Sequence, residues 1–187
     1  MISVISVISV VASGCGVPIE QSAEPISADD LPVGLRPTDS TIPAALADQE
    51  PIDIWLVRDD RLAATRHRVD PPVTPQVALA ELLSGPSEAE QNRSLRSAVP
   101  DAEVVIGVEV LGGVASVDLA STFSEIPASD QVLAVGQIVL TLTDLRGIGR
   151  VRFIVDEVQI AVPLPTGDAS EGSVSRDDYI VLADPTV

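Results

Sequence analysis

The stretch Val104–Leu119 reads "VVIGVEVLGGVASVDL". At its centre stands Gly112-Gly113, a pair that tolerates the positive φ of a two-residue hairpin turn. Counting outward from the turn pairs Val110 with Ala115, Val108 with Val117, and Ile106 with Leu119. These residues are all apolar, and because side chains alternate along a strand they share one face. Leu111/Val114, Glu109/Ser116 and Gly107/Asp118 fall on the other face. A slip of one residue would scatter the apolar set, so the pattern specifies the register. The sequence predicts an antiparallel hairpin with one face turned to a core.

The flanking segments say what builds that core. Downstream, "ASDQVLAVGQIVLTLTDLRG" (128–147) predicts a long helix. Its polar positions, Asp130, Gln137, Thr141 and Asp144 with Ala134 between them, form one narrow stripe. The rest is apolar, so most of this helix is expected to be buried. Arg146 suits the negative helix end and Gly147 the stop. "GRVRFIVD" then predicts a strand with Val151, Phe153 and Val155 inward and Arg150, Arg152 and Ile154 outward. A short "VQIAV" strand pairs back through Asp156-Glu157.

Upstream, Thr74 and Pro75 are a helix N-cap and first residue. Ala78, Leu79, Leu82 and Leu83 make the apolar stripe, and Gly85-Pro86 ends the helix. A second helical piece is expected from Ser87 to about Ser97. Before these, "IDIWLV" alternates, turns at "RDDR" and returns as "LAATRHRV". The order is strand, strand, helix, hairpin, helix, strand, strand. That predicts an α+β domain: a mostly antiparallel sheet with two main helices on one face.

Composition sets limits on function. The chain has 187 residues, no lysine, 28 acidic residues against 11 arginines, and a net charge of −17. Such a surface repels phosphate backbones, so no nucleic acid partner is expected. Aromatics are 2% of the chain, which leaves too few for a stacking platform. One cysteine, Cys15, excludes an internal disulfide framework and a cysteine-based zinc cluster.

The N-terminus points to export. "MISVISVISV" is too short for a membrane span, which needs about 20 residues. Its period of three is not that of a strand. It fits the apolar core of a secretory signal, followed by the small residues Ala12-Ser13-Gly14. "VASGC" resembles a bacterial lipobox, which implies cleavage after Gly14 and acylation (palmitate among the chains) of Cys15. Two departures stand out: Ala12 occupies the usual leucine position, and no basic residue precedes Arg36. The latter points to a start upstream of Met1. From Gly16 to Glu50, five prolines and a seven-to-one acidic excess predict a disordered tether. As a flexible coil it spans on the order of 30 Å. The expected organisation is a signal peptide over 1–14, a lipidated cysteine and linker over 15–50, a folded domain over 51–164, and a partly docked tail over 165–187.

Three segments together carry a family resemblance: "ALAELLSGPSEAEQNRSLRSAVP", the "GGVASVDLASTF" hairpin and "QIVLTLTDLRGIGRVRFIVD". In this order and spacing they resemble a GerMN domain over roughly Ile52 to Val162. The domain is named for sporulation and spore-germination proteins. The resemblance implies an extracytoplasmic domain on a lipid-anchored protein of the cell membrane, similar to ring-building modules that assemble envelope complexes. It implies no catalytic residues and no cofactor, and a sporulation role does not follow from it.

The residues themselves offer little chemistry. The single histidine, His67, lies between Arg66 and Arg68 with no nucleophile motif near it, so its expected role is a polar residue on a strand. The pairs Asp59-Asp60, Asp156-Glu157 and Asp177-Asp178 fall at turns or loops, and none has calcium-loop spacing. No metal site and no enzyme activity are expected. One constellation suggests binding. Arg66 and Arg68 share a strand face, as do Arg150 and Arg152, and Trp55 stands opposite the core set Ile52, Ile54 and Leu56. If these strands expose one side, Trp55, Arg66, Arg68, Arg150 and Arg152 form a docking face for an acidic envelope protein or an anionic wall polymer. The alternative is a pocket for a wall fragment or small anionic ligand.

Overall fold

The computed structural model describes residues 48–185. The expected signal peptide, Cys15 and nearly all of the tether lie outside them. The described residues form an α+β fold with antiparallel and mixed sheets.

Strands β1 (Glu50–Arg58) and β2 (Arg61–Val69) form a two-stranded antiparallel ribbon. Its turn, Asp59-Asp60, holds both residues at positive φ (50° and 57°), as a tight hairpin requires. Helix α1 (Pro75–Leu83) starts where expected: Thr74 accepts a hydrogen bond from the Val77 amide at 3.2 Å. Helix α2 (Glu88–Gln91) is much shorter than the expected piece to Ser97. The chain leaves it at Ser94 (φ 61°), and Arg96 instead pairs with Val57 through two backbone hydrogen bonds of 2.8 and 2.9 Å. Pairing with the outer edge of β1 overrides local helix propensity there.

The hairpin β3 (Val105–Leu111) and β4 (Val114–Leu119) takes the predicted register from Gly107 to the turn. A bulge between Val105 and Gly107 then brings Val105, not Ile106, opposite Leu119. Ile106 is therefore 66% exposed rather than inward. Helix α3 (Ala128–Thr143) links β4 to β5 (Arg150–Val155), and these two strands pair in parallel. A long crossover helix is what parallel neighbours require. The short β6 (Val158–Gln159) completes the order β3-β4-β5-β6. Two short strands, β7 (Val162–Pro163) and β8 (Ala169–Ser170), and helix α4 (Arg176–Tyr179) follow.

The core is aliphatic, as composition required. Ile54, Leu56, Leu82, Val117, Leu119, Ile138 and Leu140 are among its fully enclosed side chains. From Leu133 to Leu142, α3 is buried on every side. At Gly136 a Cβ would lie 2.7 Å from Leu62 Cδ1 and 3.2 Å from Tyr179 Cδ1, so any larger residue there would push the Leu62 side chain aside where α3 meets the ribbon and the C-terminal segment.

Candidate functional site

The structure divides the expected docking constellation. Trp55 is 6% exposed and belongs to the core. Its ring lies under the Arg176 guanidinium, 5.3 Å from ring centroid to Cζ, and its Nε1–H donates to Asp144 at 2.7 Å. Arg176 also pairs with Asp144. The face expected to be open at Trp55 is closed by the C-terminal segment. Ala183 bridges Leu62, and Asp184 pairs with Arg58 at 2.5 Å. Nothing local in the sequence shows that the tail would fold over this tryptophan.

The two arginine pairs also part company, because β2 and β5 belong to different sheets. Arg150 and Arg152 do point away from the core, whose face holds Val151 and Phe153. Each is tied locally: Arg150 donates to the Ser173 carbonyl at 3.1 Å, and Arg152 donates to the Ser116 hydroxyl at 2.6 Å. Arg66 and Arg68 are exposed on β2. Arg66 forms a two-pronged pair with Asp53 (2.7 and 3.1 Å), which raises its pKa. Arg68 donates to the Gln49 carbonyl at 3.3 Å.

Arg66 and Arg68 line a cleft of about 460 Å³ between β2 and the α1–α2 turn. The sequence reading missed Arg93, which stands on its far wall after α2. Among the described residues neither Arg68 nor Arg93 pairs with a carboxylate. A larger groove of about 770 Å³ lies beside the start of β1, but Asp53 and Asp144 on its walls are already paired and its only arginine is Arg146.

His67 forms part of the cleft wall and is not idle. Its Nδ1 meets Glu81 of α1 at 2.7 Å and its Nε2 meets Glu90 of α2 at 2.8 Å. Both ring nitrogens face carboxylates, an arrangement that favours the doubly protonated ring and lets it clamp β2 to two helices. Burial opposes that charge, but the hydrogen bonds and negative charges of Glu81 and Glu90 outweigh it, and the His67 pKa is raised. Burial likewise pushes Glu90 upward, yet donation from the Ser87 amide and hydroxyl (2.9 and 2.7 Å), His67 and Thr65 wins and lowers it to about 2. Ser87 and Glu90 thereby complete a capping box at α2. The two glutamates sit at opposite ring nitrogens, so the trio cannot converge on one metal ion, and no three metal-binding side chains cluster elsewhere among the described residues. No serine or cysteine nucleophile accompanies His67 in the cleft with a free base beside it.

A family model described as "Germane: Sporulation and spore germination" matches residues 46–161. The chain belongs to the Germane family. Comparison with curated proteins gives no match. Among solved structures, this Germane chain is similar to the tandem GerMN domains of the sporulation protein GerM from Bacillus subtilis (18% identity, TM-score 0.56), over 70% of this chain and 47% of that one. It therefore spans about half of the tandem protein. It is also similar to the first GerMN domain of that protein (18% identity, TM-score 0.52), over 69% of this chain and 99% of that one. At this identity the likeness establishes the fold: one GerMN-type domain. Neither solved structure is described as an enzyme. No helix among the described residues is long and apolar enough to cross a membrane.

Proposed function

We propose that this protein is an extracytoplasmic lipoprotein, anchored through Cys15, whose Germane domain docks a partner in envelope assembly and performs no catalysis. The cleft is the observation that carries the docking role. Arg68 and Arg93, which pair with no carboxylate among the described residues, stand there beside Arg66, which Asp53 holds, and His67, which Glu81 and Glu90 hold, in a chain whose net charge is −17. A positive site on a negative protein selects acidic partners and speeds their encounter. The lining arginines are exposed, which suits a protein or wall polymer better than a small enclosed solute. The partner site thus moves from the five-residue face expected from sequence to Arg66, Arg68 and Arg93. Anchoring rests on the lipobox-like "VASGC" and the acidic, proline-rich tether.

Both parts are open to test. Cells fed labelled palmitate should label the wild-type chain and not C15S; equal labelling of the variant removes the anchor. In-envelope crosslinking should lose its product in an R68E/R93E variant and keep it in R150S/R152S. The reverse pattern would return the docking site to the β5 face.

A further inference from the structure

We propose that the outer edge of β2, from Ala64 to Arg68, accepts an acidic, extended segment of a partner protein as an added strand. The proposal rests on reading the basic cleft as the partner site, and it specifies how the partner is held.

Backbone parity defines the edge. Trp55 stands opposite Ala64 and Val57 opposite Leu62. The Trp55 and Val57 amides and carbonyls point away from β2, toward Thr141, Gln137 and Arg96. These are therefore non-hydrogen-bonded pairs of the ladder, as are Asp53–Arg66 and Pro51–Arg68 two residues on. The N–H and C=O groups of Leu62, Ala64, Arg66 and Arg68 all point outward from β2. Leu62 uses its carbonyl: Asp184 donates to it at 2.7 Å, and Leu62 and Ala183 form a parallel bridge. The chain's own C-terminal segment thus begins a strand addition at Leu62. Among the described residues, no hydrogen bond reaches the outward backbone groups of Ala64, Arg66 or Arg68.

The cleft lies along this edge. It is lined by Arg66, His67 and Arg68 on one side and by Ser84–Ser87 and Arg93 on the other, with Glu81 and Glu90 in its wall engaged by His67, and by no β1 residue, so it opens at the outer side of β2. A segment paired with β2 would run between these walls, and its alternate side chains would meet Arg66 and Arg68. Strand addition draws affinity from main-chain hydrogen bonds and specificity from alternate side chains. Here that specificity is for carboxylates. A second copy of this chain is a poor occupant, because two β2 edges would set arginine against arginine.

The test uses the full chain and three synthetic peptides: one alternating glutamate and valine, the same peptide N-methylated at alternate amides, and one alternating lysine and valine. Hydrogen exchange at the Ala64, Arg66 and Arg68 amides should slow about tenfold or more with the acidic peptide. N-methylation should weaken binding about tenfold, since it removes two or three hydrogen bonds, and the lysine peptide should not bind. Equal binding of the N-methylated peptide overturns strand addition but leaves the basic docking cleft standing. No binding of either acidic peptide overturns both. Amides already protected without peptide would also overturn it. Loss of that protection on dilution would identify a second copy, and persistence would identify the chain's own tether or C-terminus.

Discussion

The β1–β2 ribbon has two outer edges, and the molecule treats them in opposite ways. The β1 edge is sealed at Trp55 and Val57. Thr141 accepts from the Trp55 amide at 3.2 Å, Gln137 donates to the Trp55 carbonyl at 2.7 Å, and Arg96 pairs with Val57. Among the described residues the β2 edge is met only at Leu62, and exposed Arg66 and Arg68 flank it beyond Ala64. An unpaired edge invites strand addition, and charged side chains are one way proteins restrict what may join. The contrast explains the polar stripe of α3. On an otherwise buried helix, Gln137 and Thr141 supply the hydrogen bonds a neighbouring strand would have given, and Asp130 and Asp144 hold Arg96 and Arg176 in ion pairs.

The harshest way to break this contrast is to open the sealed edge. Gln137 is fully buried and serves two backbone groups, accepting from Ala98 N–H at 2.7 Å as well as donating to Trp55. Q137L leaves a buried amide and a buried carbonyl without partners, each costing about 1–3 kcal/mol. The expected loss is roughly 2–5 kcal/mol, read as a lower urea midpoint. A loss below about 1 kcal/mol would mean that water or another group seals the edge as well as glutamine does.

A smaller effect tests what holds β2 in place. Glu90 has its folded pKa lowered to about 2, so its stabilising contribution is present above the ordinary 4.5 and fades as pH falls from there toward 2. His67 has its folded pKa raised, so its contribution is full below the ordinary 6.5 and fades as pH climbs through the raised value. The clamp is therefore strongest between about pH 4.5 and 6.5. Thermal unfolding across pH should give its highest Tm in that window. E90Q should lower the Tm there and flatten the decline on both sides. A wild-type profile that keeps rising well above pH 7 would show that His67 is neutral in the fold.

Much of this contrast was legible in the sequence, and the reasons for the exceptions are physical. The Gly112-Gly113 hairpin, the turns at Asp59-Asp60 and Asp156-Glu157, the Thr74 cap and the α3 stripe are local patterns, and the structure contains each of them; Asp177-Asp178, expected in a turn or loop, lies instead in α4, where Asp178 accepts from the Ser175 amide and hydroxyl. The core face of β5 followed from alternation alone. Ile106 was misplaced because a bulge shifts register without any change in apolar periodicity. Trp55 was misplaced because its cover, the segment from Arg176 to Asp184, lies more than a hundred residues away, and period-two alternation cannot say which of two apolar-compatible faces a distant segment will choose. Arg93 escaped because it gains meaning only when α2 ends early and carries it to the rim of a cleft. The arginine pairs look alike in sequence, Arg-x-Arg on a strand, and only sheet order separates an interior strand from an edge.

The finest prediction rests on that separation. β5 is paired with β4 from Arg150 to Ile154, and its other side is met by Val174 at Val151, by Ile160 at Phe153 and by β6 at Ile154 and Val155, so Arg150 and Arg152 offer side chains but little backbone. Their partners are the hydroxyl and carbonyl oxygens of Ser116 and Ser173 at an exposed surface. R150S/R152S should change stability by less than about 0.5 kcal/mol, and should leave capture of an acidic peptide unaltered. R66S/R68S should be just as mild for stability, because the Arg66–Asp53 pair is exposed and such pairs contribute little. It should nevertheless weaken peptide capture, and more so at low ionic strength, where unscreened charge counts most. Two pairs of matched chemistry and matched stability cost would then differ in binding alone. Equal behaviour of the two variants in the peptide titration would show that the edge adds nothing to arginine content.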